Sequence, residues 1–319
     1  MEACIYKKFG KASVLEWVDS WPKPECKSGS VIVEVVAISI NPKDALLRKG
    51  KFSRTLARDP LPRLTGLDVS GTVVEVGKNV DLIKVGDAVF GMTNNFSGGV
   101  LGTFAELKET EVAKAPISIS LVDAASIPLA AQTALQALRD ICRLDQGKKI
   151  LVTGASGGVG HFAIQIARHI GAEVHGICST DNIEFVSSLG AHCTYDYKKN
   201  AAAIDNQYDA IFDAAGRYKR EYFSQQLGKS GIFVTTVPSG KSLFSELMAR
   251  LKISKKNRLV FVHSSYKDLS QLADWIDSGK LSPHIQKIYG KNEIVEAHNQ
   301  IQSGHTRGKI LVSMIDKVS

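Results

Sequence analysis

The sequence predicts an α/β protein in two parts, a β-rich first part and a doubly wound parallel sheet after it. Three observations predict this. Up to about residue 118, β-branched runs are punctuated by Pro22, Pro24, Gly29, Gly50, Pro60 and Pro62, the pattern of closely spaced strands. From about residue 119, near-continuous apolar strands alternate with helical patterns, as they do when helices cover both faces of a parallel sheet. A glycine-rich stretch, VTGASGGVG at 152–160, stands between one such strand and the helix that follows.

In the first part, 31–38 (VIVEVVAI) and 69–76 (VSGTVVEV, ended by Gly77) read as strands. Shorter strands are expected at 87–91 and 104–107. The pattern at 123–139 is helical with Pro128 as a local break, because proline removes a backbone donor and crowds the preceding turn. Strands follow at 149–153, 173–178, 208–213, 232–237 and 259–263. Helices are expected at 159–170 and at 183–189, the second closed by Gly190. The chain ends with helical patterns at 268–278 and 292–303 and a strand at 309–315, whose sheet the pattern alone does not assign. There are no internal repeats.

A chain of 319 residues that is 44% hydrophobic and 23% charged fits a soluble globular protein of about two domains. No apolar run approaches the roughly 18 residues that span a bilayer. The opening MEACIYKKFG lacks the charged start and apolar block of a signal peptide, so a cytoplasmic protein is expected. The five cysteines form no CxxC pair and are odd in number, which suits free thiols in a reducing compartment. The net charge of +8 is densest at KISKKNR, 252–258, and reads as a solvated basic face. Without aromatic residues interleaved in it, no nucleic-acid partner is expected. The amphipathic stretch at 242–262 that contains it leaves a peripheral membrane contact open; a helix over the cleft or at a subunit contact is the preferred reading.

Glycines in VTGASGGVG permit the tight turn and let the backbone approach a pyrophosphate. The helix beyond offers unpaired N–H groups and its positive end. Gly154, Ala155, Ser156, Gly157, Gly158 and Val159 are therefore candidate dinucleotide contacts. The next strand ends near Cys178 in GICSTDN. An NAD-type carboxylate belongs at that tip, whereas Asp181 comes three residues later and, with Glu184, has the spacing of a helix N-cap. Ser179 and Thr180 are then nearest the ribose, which favours NADPH over NADH.

The stretches INPKD (40–44), TGLDVSGTVVEVG (65–77), KVGDAVFG (84–91), GTFAEL (102–107), IPLAAQTALQAL (127–138), VTGASGGVG (152–160) and GHTRGKILV (304–312) run nearly the whole chain. In them the sequence resembles the medium-chain dehydrogenase/reductase superfamily, in its zinc-independent, quinone oxidoreductase-like branch. The resemblance implies a GroES-like catalytic domain over 1–118, a Rossmann domain over 119–263 and a C-terminal segment, 264–319, that returns to the first domain. Zinc enzymes of this superfamily carry a cysteine ligand where this chain has Asn41 and a histidine ligand where it has Leu67. The chain also lacks their cluster of four cysteines, so no zinc is expected.

The same resemblance implies an Asn41 amide that lines the cleft near the nicotinamide, with a plain turn residue before Pro42 as the alternative. It puts Thr133 close to the nicotinamide and Tyr197 at the 2′-phosphate. Ala214, Ala215 and Gly216 lie where the adenosine passes, and Val237, Pro238 and Ser239 beside the nicotinamide ribose. Lys309 belongs to the C-terminal GK segment of the cofactor site. Two departures stand out: Leu46 and Arg48 occupy a region where relatives place a tyrosine, and Asp181 stands where they place a basic residue. Lys198, Lys199 or Arg217 are the remaining sources of charge there. No general acid is identifiable, His263 reads as the end of a strand, and water is expected to protonate the product. The activity implied is NADPH-dependent hydride transfer to quinones or α,β-unsaturated carbonyls, small conjugated molecules that need no Lewis acid. The rivals are an enoyl-thioester reductase and a non-catalytic cofactor-binding protein with a regulatory, nucleic-acid or membrane-surface role. A homodimer is common in the family.

Overall fold

The computed structural model describes residues 1–57, 59–199, 204, 207–237, 246 and 256–315. Pro238, Ser239 and residues 252–255 of the basic stretch lie outside the described residues. The chain forms two compact units: 1–129 with 263–279 and 285–319, and 130–262 with 280–284.

The first unit is built on a seven-stranded sheet. Its main path runs Ile285–Gly290, Lys309–Ser313, Ser30–Ser39, Asp68–Val76, Ala88–Met92 and Val112–Lys114, and Phe104–Lys108 pairs with Ser30–Ser39 off that path. The final strand, unassigned by pattern, lies antiparallel to Ser30–Ser39. Val31, Val33, Ile38, Val69, Val73, Val89, Ile310 and Val312 fill one core beneath it. At Gly71 the neighbouring strand comes so close that a Cβ would stand 2.0 Å from the Glu34 carbonyl oxygen, so only glycine fits the sheet there. Ala3–Tyr6 pairs with Leu15–Val18 and Arg63–Leu64 in a small second sheet.

Residues 123–139 are not one helix. Leu121–Ala124 ends before Pro128, a new helix runs Pro128–Gln136, and a π turn, Ala137–Ile141, closes it. Pro128 sits at the first helical position, where its missing N–H costs nothing. Val122 and Ala125 pack with Ala37, Leu311 and Ile285 of the first unit, which runs on to residue 129.

The second unit is a six-stranded parallel sheet in the order Cys193–Asp196, Glu173–Cys178, Lys149–Thr153, Tyr208–Asp213, Leu227–Thr235, Asn257–Leu259. The chain winds outward both ways from Lys149–Thr153, which puts the switch point at that strand's C-terminal end. Helix Gly158–Ile170 buries Phe162, Ala163, Ile164, Ile166 and Ala167, and Gly171 ends it in the left-handed region at φ 90°. The strand expected at 259–263 is observed as Asn257–Leu259, and His263 belongs to the first unit. Among the described residues no helix is long and apolar enough to cross a membrane.

Candidate active site

In the second unit, strand Lys149–Thr153 feeds the glycine turn at the switch point. Gly154 is left-handed at φ 63°, and a Cβ on it would stand 2.7 Å from the Ala215 Cβ. Gly216 is also left-handed, and its Cβ would strike Val237 Cγ2 at 2.0 Å. Gly154, Ala215, Gly216 and Val237 are therefore brought together at adjoining strand ends. Ala155 is buried and donates its N–H to the Ile177 carbonyl, which ties the turn to the next strand.

Two glycines of the turn do different work. A Cβ on Gly160 would lie 2.1 Å from the Gly154 carbonyl oxygen, so glycine is needed for the helix to start under the turn. A Cβ on Gly157 would meet only that same oxygen, at 3.3 Å. Gly157 is the N-cap of helix Gly158–Ile170, and no side chain caps it. Ser156, Gly157, Gly158 and Val159 are half-buried. A helix start with free N–H groups, a positive dipole end and no side chain in front of it fits a pyrophosphate.

Two buried side chains that the sequence did not single out shape this turn. His161 stands with Nδ1 3.0 Å from the Gly157 carbonyl oxygen, and its Nε2 accepts the His284 N–H at 3.3 Å. Accepting at Nε2 places the ring proton on Nδ1, which donates to Gly157. Asp213 ends its strand with a carboxylate that accepts from Thr153 Oγ1 at 2.6 Å and from the Tyr218 and Arg217 N–H groups at 3.0 and 3.3 Å. Burial pushes Asp213 up and these donors oppose it. The carboxylate thus fixes the bend that carries Ala214–Gly216.

At the ribose end, strand Glu173–Cys178 is followed by a 3-10 turn, Thr180–Asn182, whose N-cap is Ser179. The α-helix begins only at Ile183 and its N-cap is Asn182. Asp181 is therefore not the expected cap; it is exposed, in the first turn of the 3-10 segment, because the chain inserts that extra turn before the helix. Ser179 Oγ accepts from Asn182 Nδ2 at 2.8 Å, and Thr180 Oγ1 donates to Asp196 Oδ2. That hydrogen bond first, then the Lys198 N–H, holds the Asp196 carboxyl below the usual range. Tyr197 donates its N–H to the Cys178 carbonyl at 3.1 Å and is 39% exposed, and Lys198 Nζ lies 6.0 Å from its ring centre. Ser179, Thr180, Tyr197 and a cation thus gather at one strand tip. Thr133, on helix Pro128–Gln136, is buried, at 4% exposure.

The first unit holds a different constellation. Asn41 is the N-cap of helix Pro42–Arg48, and its N–H donates to Asp44 Oδ2 at 2.7 Å. Its Nδ2 donates to the Ser39 carbonyl at 3.1 Å and to Asp68 Oδ2 at 3.0 Å, while its Oδ1 accepts from Lys309 Nζ at 2.6 Å. Lys309 Nζ is also 3.5 Å from Asp68 Oδ2. Both amide hydrogens of Asn41 are spent inside the protein. Its Oδ1 faces the Lys309 ammonium, and its backbone opens the helix. Burial pushes Asp68 up and Asp44 up to about 7, and pushes Lys309 down; the Lys309–Asp68 attraction opposes the shift of each partner. A metal ion at Asn41 would face the Lys309 ammonium, and the fully buried Leu67 supplies no donor, so these residues do not fit a zinc ion.

The departures at 46 and 48 separate cleanly. Leu46 is exposed, whereas Arg48 is fully buried and donates to the Gly10 carbonyl. On the same helix Lys43 lies over the Phe96 ring at 3.9 Å, with its ammonium pushed down by burial. A groove of about 840 Å³ on this unit, bordered by Trp21, Pro22, Pro60 and Phe104, includes none of the expected site residues.

Known proteins bear on both units. The family described as "Alcohol dehydrogenase GroES-like domain" matches residues 27–117, and that described as "Zinc-binding dehydrogenase" matches 189–312. The chain is 35% identical to the "Chloroplast envelope quinone oxidoreductase homolog" of Arabidopsis thaliana, over 98% of each chain. It is 32% identical to the "NADPH-dependent alkenal/one oxidoreductase, chloroplastic" of the same plant, over 98% of this chain and 79% of that one. A solved quinone oxidoreductase from Coxiella burnetii superposes with a TM-score of 0.89 at 29% identity, over 99% of both chains.

Proposed function

Because the chain belongs to the medium-chain dehydrogenase/reductase superfamily, in its quinone oxidoreductase-like branch, we propose that it is an NADPH-dependent, zinc-free reductase of quinones or α,β-unsaturated carbonyls. The observation that carries this reading is the uncapped helix start at Gly157, set at the switch point of the parallel sheet. The free N–H groups of that first turn hold the pyrophosphate, and His161 keeps the Gly157 carbonyl turned away from it. Ala214–Gly216 and Val237 follow the adenosine and nicotinamide ribose. Ser179, Thr180 and Tyr197 surround the 2′-phosphate, with the Thr180 hydroxyl held by Asp196, and Lys198 supplies positive charge there. The likeness to an NADPH-dependent alkenal/one oxidoreductase supports NADPH in the same sense.

When bound, the cofactor supplies a hydride. A conjugated acceptor is already polarised, so the protein has to orient it and exclude water, without Lewis-acid help. Asn41, Leu67 and Lys309 support zinc independence, since none can bind the metal as arranged. The proton that completes the reduction comes from water. The five cysteines are free, as in the reducing cytoplasm. Turnover of NADPH with a small quinone or enone, compared with NADH at equal concentration, tests the reading. A marked NADH preference would overturn the cofactor assignment.

A further inference from the structure

Three polar side chains meet inside the first unit from distant places in the chain. Asn41 precedes helix Pro42–Arg48, Asp68 opens strand Asp68–Val76 and Lys309 opens strand Lys309–Ser313. All three are buried. Asp68 acts in two directions. Its Oδ2 receives the Asn41 amide at 3.0 Å and faces Lys309 at 3.5 Å. Its Oδ1 accepts the N–H of Leu129 at 2.8 Å, in the first turn of helix Pro128–Gln136. One carboxylate therefore fastens the starts of two helices, the first of them through Asn41.

Desolvating a lysine and a carboxylate consumes most of what their attraction returns, and well-packed apolar groups often stabilise as much. What the apolar pair would lack is direction: it could not aim the Asn41 amide or hold the Leu129 N–H. We propose that Asp68, neutralised by Lys309, is a positioning residue of the reaction, holding Asn41 at the start of helix Pro42–Arg48 and the Leu129 N–H at the start of helix Pro128–Gln136 in the geometry that hydride transfer requires. It touches neither acceptor nor cofactor and acts through Asn41 and Leu129. The proposal rests on the reductase reading given above.

The test compares Asp68→Leu, Lys309→Met and the double variant. Each single change leaves one buried charge unpaired and lowers Tm, while the double variant removes both charges and regains it. Amide hydrogen exchange, cofactor fluorescence titration, and kcat and KM with NADPH and a quinone are measured on each. In the double variant, segments 41–48 and 128–136 should exchange faster at near wild-type Tm. At saturating NADPH, kcat should fall about 10- to 100-fold, the usual effect of removing a group that orients others. Wild-type exchange rates overturn the proposal, and so does wild-type kcat despite faster exchange. A double variant as unstable as the singles also overturns it, because the network then serves stability alone. If the unaltered protein reduces no acceptor, the reductase reading falls by itself, and the exchange rates still decide whether Asp68 anchors the two helices.

Discussion

Gly157→Ala and Gly160→Ala should fail in different ways. At Gly157 the backbone is extended, at φ −82° and ψ −177°, which alanine adopts freely, and the new methyl meets only the Gly154 oxygen at 3.3 Å. Stability should fall by less than about 1 kcal/mol, the difference between glycine and alanine at an N-cap. Apart from that oxygen the methyl enters open space, which a phosphate seated on the first-turn N–H groups would have to share with it. Losing one charge-assisted hydrogen bond costs about 1.5–3 kcal/mol, so cofactor Kd should rise about 10- to 100-fold. At Gly160 the methyl would lie 2.1 Å from the Gly154 oxygen and 2.8 Å from Ala155 Cα. Both are backbone atoms that cannot swing aside, and overpacking of this kind costs about 1–3 kcal/mol or more. Fluorescence titration with NADPH and thermal unfolding read the two effects separately. A Gly157→Ala protein with wild-type Kd would refute the placement of the phosphates on this helix.

Lys198→Ala should raise KM for NADPH about two- to fivefold, the worth of an exposed cation, and leave KM for NADH alone; an equal rise for both would place Lys198 away from the 2′-phosphate. Asp181→Lys, which replaces a negative charge with a positive one beside Ser179 and Thr180, should increase the preference for NADPH in the same assay. Asp44 gives a pH signature. Burial raises its folded pKa to about 7, above the ordinary ~3.9 of an unfolded chain. Its contribution is complete below about pH 4 and is lost as pH rises through 7. Asp44→Asn, which has no proton to lose, should gain on the wild type by at least about 1 kcal/mol in unfolding measured from pH 5 to 8; parallel curves would contradict this. Exhaustive chelation should leave turnover unchanged, and loss of activity restored by zinc would overturn the zinc-free reading.

The glycine turn was legible because its meaning is local: nine residues hold the strand end, the turn and the helix start. Long apolar strands such as Tyr208–Asp213 were legible for the same reason. Cys193–Asp196 was not, being four residues with only two of them buried. Cap spacing fails at Asp181 because it assumes that the α-helix starts at once, and a 3-10 turn intervenes. The Asn41–Asp68–Lys309 network was out of reach, since its closest contact joins residues 268 positions apart. Asp213 and Asp196 left a faint trace, a carboxylate closing an apolar strand, but only their partners reveal that both are committed to holding turns.

The measurement that bears most directly on the account is NADPH oxidation against a panel of quinones, enones, enoyl thioesters and simple alcohols, repeated with NADH. Turnover is expected with quinones or enones, slower with NADH, and absent with unactivated alcohols. Turnover confined to alcohols or to enoyl thioesters, or no turnover of any acceptor by a protein that binds NADPH, would contradict it.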